Sequence, residues 1–167
     1  MAPILGPRAL DIISHSVDQT RRLGARLGRL LISGDVICLE GELGTGKTCL
    51  AQGIGRGLGI GEPIISPTFT LIREYKTPQG RPPFYHIDFF RLEDAEEALA
   101  LGLEEYFYGD GVCVIEWAEK MKAVLPPERL WITLRHLDET KRGLLMEATG
   151  QRYEELLREF RRVAFGV

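Results

Sequence analysis

Two spacings of apolar residues alternate along the chain. Val17, Leu23, Leu27, Leu30 and Leu31 recur at helical intervals and predict a helix over residues 17–32. Ser16 with Gln19 makes a capping-box pair at its start, and Gly34 suits its stop. Residues 35–40 read as a strand, built on the apolar run Val36-Ile37-Cys38-Leu39. A second helix begins near Lys47 and runs to about Leu58. Gly53, Gly55 and Gly57 weaken it intrinsically, so packing and the loop before it must hold it. Two β-rich runs follow, Phe69–Tyr75 and Phe84–Phe90, joined by the turn-forming stretch 76–83, and together they predict an antiparallel hairpin.

Beyond the hairpin the signals shorten. Asp94 with Glu97 caps a helix to about Leu101, and Leu103–Phe107 suits another short helix. Val112-Cys113-Val114-Ile115 is a buried-strand run. Pro126 and Pro127 break the chain before a strand over Leu130–Arg135, and a further strand covers about Leu144–Ala148. Gln151–Val163 closes the chain as a helix with Tyr153, Leu156, Leu157 and Phe160 on one face. No repeat, low-complexity tract or linker interrupts residues 1–167, which read as a single α/β domain with a mixed, partly antiparallel sheet.

Composition narrows the classes. Of 167 residues, 44% are hydrophobic and 27% charged, enough to build a core in an ordinary globular chain. A net charge of −3 argues against a strongly nucleic-acid-binding domain. Arg21, Arg22, Arg26 and Arg29, and the basic residues of 152–162, read as solvated helix faces or a partner's docking surface. Cys38, Cys49 and Cys113 are far apart and form no C-x-x-C, which suits reduced thiols in the cytoplasm. No apolar run reaches the length of a membrane span, and Met1-Ala2-Pro3-Ile4 does not start like a signal peptide. No His/Cys/Asp spacing suggests zinc.

The chemistry concentrates at residues 41–48. Gly41, Glu42, Leu43, Gly44, Thr45, Gly46, Lys47 and Thr48 spell G-x-x-x-x-G-K-[ST], the phosphate-binding P-loop, with Cys49 beside it. The glycines let successive backbone N–H groups turn toward one anion. Lys47 reaches β/γ-phosphates, and the Thr48 hydroxyl can hold Mg²⁺. A strand before the loop and a helix after it aim a helix N-terminus at phosphate. Hydrolysis needs an acid as well. Glu116 ends the run Val112–Ile115, where an open α/β sheet places its ligands, and Trp117 follows. Asp88 lies between aromatics in His86-Ile87-Asp88-Phe89-Phe90-Arg91, where burial can shift its pKa, although an ion pair with Arg91 would serve as well. Ser66-Pro67-Thr68-Phe69 is either a γ-phosphate-sensing loop or an ordinary turn. His86 reads first as structural, while its place beside Asp88 keeps a role as base open.

In this order these segments resemble the TsaE (YjeE-type) family of small bacterial P-loop ATPases. The markers are GELGTGKT at 41–48, SPTF at 66–69, HIDFFRLED at 86–94 and IEWAEK at 115–120. The resemblance spans nearly the whole chain, from Asp35 to about Leu134, and the N-terminal helix fits too. It implies a P-loop NTPase-like three-layer fold with helices on both sheet faces, and a Mg²⁺-dependent ATPase in the threonylcarbamoyladenosine modification of tRNA. It implies that Lys47 and Thr48 hold phosphates and Mg²⁺, and that Thr68 belongs to a switch-like loop over the γ-phosphate. Asp88 would be an acid needed for activity, Glu116 a Walker-B-like acid near Mg²⁺, and Trp117 a neighbour of the nucleotide. The implied partners are the TsaD and TsaB proteins, with tRNA reached indirectly. Phe90 stands where the family usually has Tyr, and Thr45 and Cys49 where Ala and Thr are common.

Two other readings stay open. A small-molecule or nucleotide kinase usually carries an Arg-rich lid, and the middle of the chain offers only scattered Arg73, Arg81 and Arg91. A non-hydrolytic nucleotide switch would use the SPTF loop equally well. The absence of an N/T-K-x-D guanine motif leans toward ATP.

Overall fold

The apolar runs pair into one seven-stranded sheet in the computed structural model, which describes residues 6–166. The elements are β1 (Ala9–Ser14), α1 (Val17–Gly28), β2 (Val36–Glu40), α2 (Lys47–Gly57), β3 (Ile72–Tyr75), β4 (Phe84–Asp88), α3 (Ala95–Ala100) and α4 (Leu103–Phe107). After these come β5 (Val112–Glu116), a 3₁₀ segment (Ala118–Val124), β6 (Arg129–His136), β7 (Arg142–Thr149) and α5 (Gln151–Phe165). The strand order is β1-β7-β6-β2-β5-β4-β3. β6, β2, β5 and β4 run parallel to their neighbours in the centre, and antiparallel pairs close both sides.

Alternation along the central strands feeds two cores. Ile37 and Leu39 of β2, with Val112 and Val114 of β5, pack under α1, α2 and α5. Val36 and Cys38, with Cys113 and Ile115, face α3, α4 and the 3₁₀ segment. This is why the central strands read as unbroken apolar runs: both faces are buried. The result is a P-loop NTPase-like three-layer α/β fold with helices on both faces of a mixed sheet. At the start of β2, Arg152 of α5 binds Asp35 at 2.7 Å, and the Val36 N–H donates to the Tyr153 hydroxyl at 2.8 Å. Among the described residues no helix is long and apolar enough to cross a membrane.

The boundaries depart from expectation in places. The Ser16 hydroxyl caps α1 by accepting the Gln19 N–H, while the Gln19 side chain accepts the N–H of His15. That helix stops at Gly28, short of 32, and Leu30 and Leu31 lie in the turn beyond. Leu31 is buried there without being helical, which explains its apparent periodicity. The hairpin's first strand begins at Ile72, because Leu71 takes a left-handed φ of 69° and the segment before it forms a turn. β1 and the 3₁₀ segment were not expected. The reading made on residues 1–4 lies outside the described residues.

Candidate nucleotide-binding site

The central parallel strands deliver their C-terminal ends to one edge of the sheet. β2 leads into the loop 41–46, and α2 begins at Lys47. Gly44 and Gly46 have φ of 80° and 104°, which L side chains rarely adopt, so the loop can close on its own backbone only with glycine there. β5 and β4 are in register, with Asp88 opposite Glu116 at their last residues. Phe84, His86 and Asp88 alternate onto one face of β4, and Val112, Val114 and Glu116 onto the same face of β5, the one that packs on α2.

This brings together residues from four segments. Lys47, Thr48, Thr68, Asp88, Glu116 and Trp117 line one cavity of about 290 Å³, with Leu43, Gly44, Gly46, Cys49 and Ser66 completing the wall. Gly41, Glu42 and Thr45 do not line it. The Gly41 and Glu42 carbonyls accept the Lys47 ammonium, and the buried Thr45 hydroxyl donates to the Glu42 carbonyl at 2.8 Å. Thr45 opens instead onto a second cavity of about 300 Å³, which shares Gly44, Gly46 and Cys49 with the first. His15, Ser16, Val17, Thr20 and Arg142, from the first turns of α1 and its entrance and from the start of β7, complete its wall, together with Glu139 and Thr140 of the turn before β7.

The polar groups form two hydrogen-bonded clusters, one on Glu116 and one on Asp88. The Thr48 hydroxyl donates to Glu116 Oε1 at 2.8 Å, and Glu116 Oε2 lies 2.6 Å from His86 Nε2. Thr68 donates to Asp88 Oδ2 at 3.0 Å and shares its hydroxyl with Ser66 at 2.9 Å. The Phe90 N–H closes on Asp88 Oδ1 at 2.7 Å. Arg91 makes no ion pair with Asp88; its guanidinium lies 4.2 Å from the centre of the Phe69 ring. Trp117 holds a left-handed φ of 57°, a strained geometry for a bulky residue, and it places the indole 4.0 Å from the Lys47 ammonium.

Burial shapes the charges. It pushes the Asp88 carboxyl above its ordinary range, against the pull of the Phe90 N–H and the Thr68 hydroxyl. It lowers the Lys47 ammonium, which Glu116, Glu119 and Asp88 partly restore. Glu119, absent from the sequence-derived set, is also raised by burial, against the pull of its own backbone N–H, the Lys47 ammonium and the Gly41 N–H. Its place in the IEWAEK segment at 115–120 was the sequence clue. Cys38 and Cys113 are core thiols pushed up to about 12, whereas Cys49 lies on the cavity wall.

The donors suit Mg²⁺. A hydroxyl and a carboxylate oxygen stand 2.8 Å apart beside a phosphate-binding loop, both hard ligands. Among the described residues no three of His, Cys, Asp and Glu gather as a cage. An ion that keeps its waters and takes one or two protein ligands plus phosphate needs none.

Comparison with known proteins finds relatives over most of the chain. The family model for "Threonylcarbamoyl adenosine biosynthesis protein TsaE" matches residues 14–144. The tRNA threonylcarbamoyladenosine biosynthesis protein TsaE of Bacillus subtilis is 43% identical over 145 residues, covering 87% of this chain and 89% of that protein. Its counterpart in Treponema pallidum is 45% identical over 132 residues, covering 79% and 96%. The crystal structure of Bacillus subtilis YdiB superposes with a TM-score of 0.80 at 35% identity, covering 97% of each chain.

Proposed function

The chain belongs to the TsaE family of tRNA threonylcarbamoyladenosine biosynthesis, and from that premise we propose that it binds and hydrolyses ATP with Mg²⁺ in support of the threonylcarbamoyl-transferring complex. The observation that carries this reading is the Thr48–Glu116 hydrogen bond of 2.8 Å at the mouth of the P-loop, with Asp88 beside it in register. The loop N–H groups and Lys47 bind the β- and γ-phosphates. Thr48 and Glu116 hold Mg²⁺, which when bound offsets charge developing on the phosphates. Asp88 orients the attacking water and accepts its proton, which its raised affinity for protons suits. Thr68, tied to Asp88, carries the presence of the γ-phosphate to the 66–70 loop. The nucleoside lies in the second cavity, which joins the first across Gly44 and Gly46.

The partners are the TsaD and TsaB proteins, tRNA is reached through them, and the work is cytoplasmic. The Thr68–Asp88 contact also favours a second reading, a switch in which binding alone controls assembly. Steady-state ATP hydrolysis with Mg²⁺, with and without TsaD and TsaB, tests both. Slow turnover that changes with the partners and disappears in Glu116→Ala and Lys47→Ala supports the ATPase. Full support of threonylcarbamoyl transfer by a non-hydrolysing Glu116→Ala points to the switch. Hydrolysis unchanged in Lys47→Ala removes the P-loop assignment.

A further inference from the structure

His86 is the most deeply buried ionisable group beside the site, with no exposed surface, and its ring stacks on Phe84 at 5.9 Å. Nε2 lies 2.6 Å from Glu116 Oε2, and Nδ1 has no hydrogen-bond partner. With Nδ1 unpartnered, the proton belongs on Nε2, where the ring donates to the carboxylate. A leucine would fill this space in β4 without leaving an orphaned nitrogen. A buried polar group that breaks the packing rule is retained for what its one contact does.

That contact fixes a carboxylate. Glu116 has two oxygens and two different holders: Thr48 on Oε1 and His86 on Oε2. Thr48 donates its only proton there, which leaves its lone pairs for a cation. If Oε2 lost its donor, the carboxylate would turn about its last side-chain bond and carry Oε1 away from Thr48. We propose that His86 is a positioning residue for the phosphate-side metal site: its Nε2–H holds the Glu116 carboxylate in the plane that pairs Oε1 with the Thr48 hydroxyl. His86 touches neither nucleotide nor metal. The inference rests on the reading of Thr48 and Glu116 as the Mg²⁺ site, and goes beyond it by naming what orients the acid. Partners that orient metal ligands typically change metal affinity by about 10–100-fold when removed.

The test compares the wild type with His86→Leu, which keeps volume and removes the donor, and His86→Gln, which places an N–H near the Nε2 position. ATP binding is followed by Trp117 fluorescence in EDTA and across a Mg²⁺ titration, and hydrolysis across the same titration. The expected result is a Mg²⁺ midpoint at least about tenfold higher in His86→Leu. ATP affinity in EDTA should stay within about twofold of wild type, since no phosphate contact is altered. His86→Gln should recover most of the Mg²⁺ midpoint. A merely structural histidine would shift binding in EDTA as much as in Mg²⁺, and that result overturns the proposal. So does a wild-type midpoint in His86→Leu, or a His86→Gln protein no better than His86→Leu. If His86→Leu does not fold, His86→Gln decides: a midpoint within about threefold of wild type supports the proposal, and a larger shift overturns it. A wild-type protein that binds ATP indifferently to Mg²⁺ overturns the metal-site reading itself, an outcome distinct from failure of the histidine's role.

Discussion

Asp88 holds a carboxylate where charge is disfavoured. It is 1% exposed, and burial raises its pKa above the ordinary 3.8. The sign of the consequence follows. The folded protein binds the Asp88 proton more tightly than the unfolded chain, so this group favours folding most below its unfolded pKa. That advantage is lost as pH rises through the folded value. The ionised form, the one able to take a proton from water, is present only above the same folded value. The acid limb of ATP hydrolysis should therefore lie above pH 3.8, and Asp88→Asn should remove it. Asparagine can keep the Phe90 N–H on its Oδ1 and turn its amide N–H to the Thr68 oxygen, whose own proton can go to Ser66, so thermal unfolding at neutral pH should show stability unchanged or raised by about 1 kcal/mol or less. Hydrolysis should fall by about 10²–10⁴-fold. Turnover within a few-fold of wild type would take Asp88 out of the chemistry. The two acids were legible because each ends or interrupts an apolar run. The His86–Glu116 pair was not, since nothing local links residues on separate strands, and register alone brings them together.

α1 and α2 owe their closeness to glycine. Gly24 and Gly28 face Gly53 and Gly57 at the crossing, and a Cβ on Gly24 would lie 2.6 Å from the Leu50 carbonyl oxygen. A Cβ on Gly53 would collide with the Arg21 carbonyl. The glycines that weaken α2 as an isolated helix thus let its backbone approach its neighbour and set the P-loop helix against the sheet. Gly53→Ala gains up to about 1 kcal/mol in helix propensity but forces the helices apart. Urea unfolding should show a net loss of about 1–3 kcal/mol. Gly61→Ala, with no atom within 4 Å of its Cβ, should change little. A Gly53→Ala midpoint equal to or above wild type would rule out the close crossing. The sequence revealed α2 and the cost of its glycines, but their partners on α1 fell inside a helix read only for its leucines. β1 escaped notice for a related reason. Leu10 and Ile12 are buried, but Ile13 is 49% exposed and breaks the polar-out alternation, and the strand's one partner is β7, far along the chain. The 3₁₀ segment had no periodicity to detect, because Trp117 enters it in a left-handed conformation and Met121 departs from helical geometry within it.

At the scale of the molecule, the two cavities join parts of the chain that only the finished sheet brings together. The phosphate side uses the P-loop and the ends of β4 and β5, and the other side uses the α1 entrance and the start of β7. The sheet order places β6 and β7 on one side of β2, and β5 and β4 on the other. A nucleotide reaching from Thr48 to Arg142 would therefore touch elements on both sides of β2. Such a ligand stabilises the whole fold, because the unfolded chain offers it no assembled site. At a hundredfold excess over its dissociation constant it contributes about 2.7 kcal/mol. For a chain of this size that raises the unfolding temperature by about 5–10 °C, in a single shifted transition. Calorimetry with Mg²⁺-ATP, Mg²⁺-GTP and inorganic triphosphate separates the two cavities. A shift with ATP well above that with triphosphate at equal free ligand concentration would arise from contacts at the second cavity. Equal shifts for all three would confine binding to the phosphate side and remove the nucleoside from the space between α1 and β7.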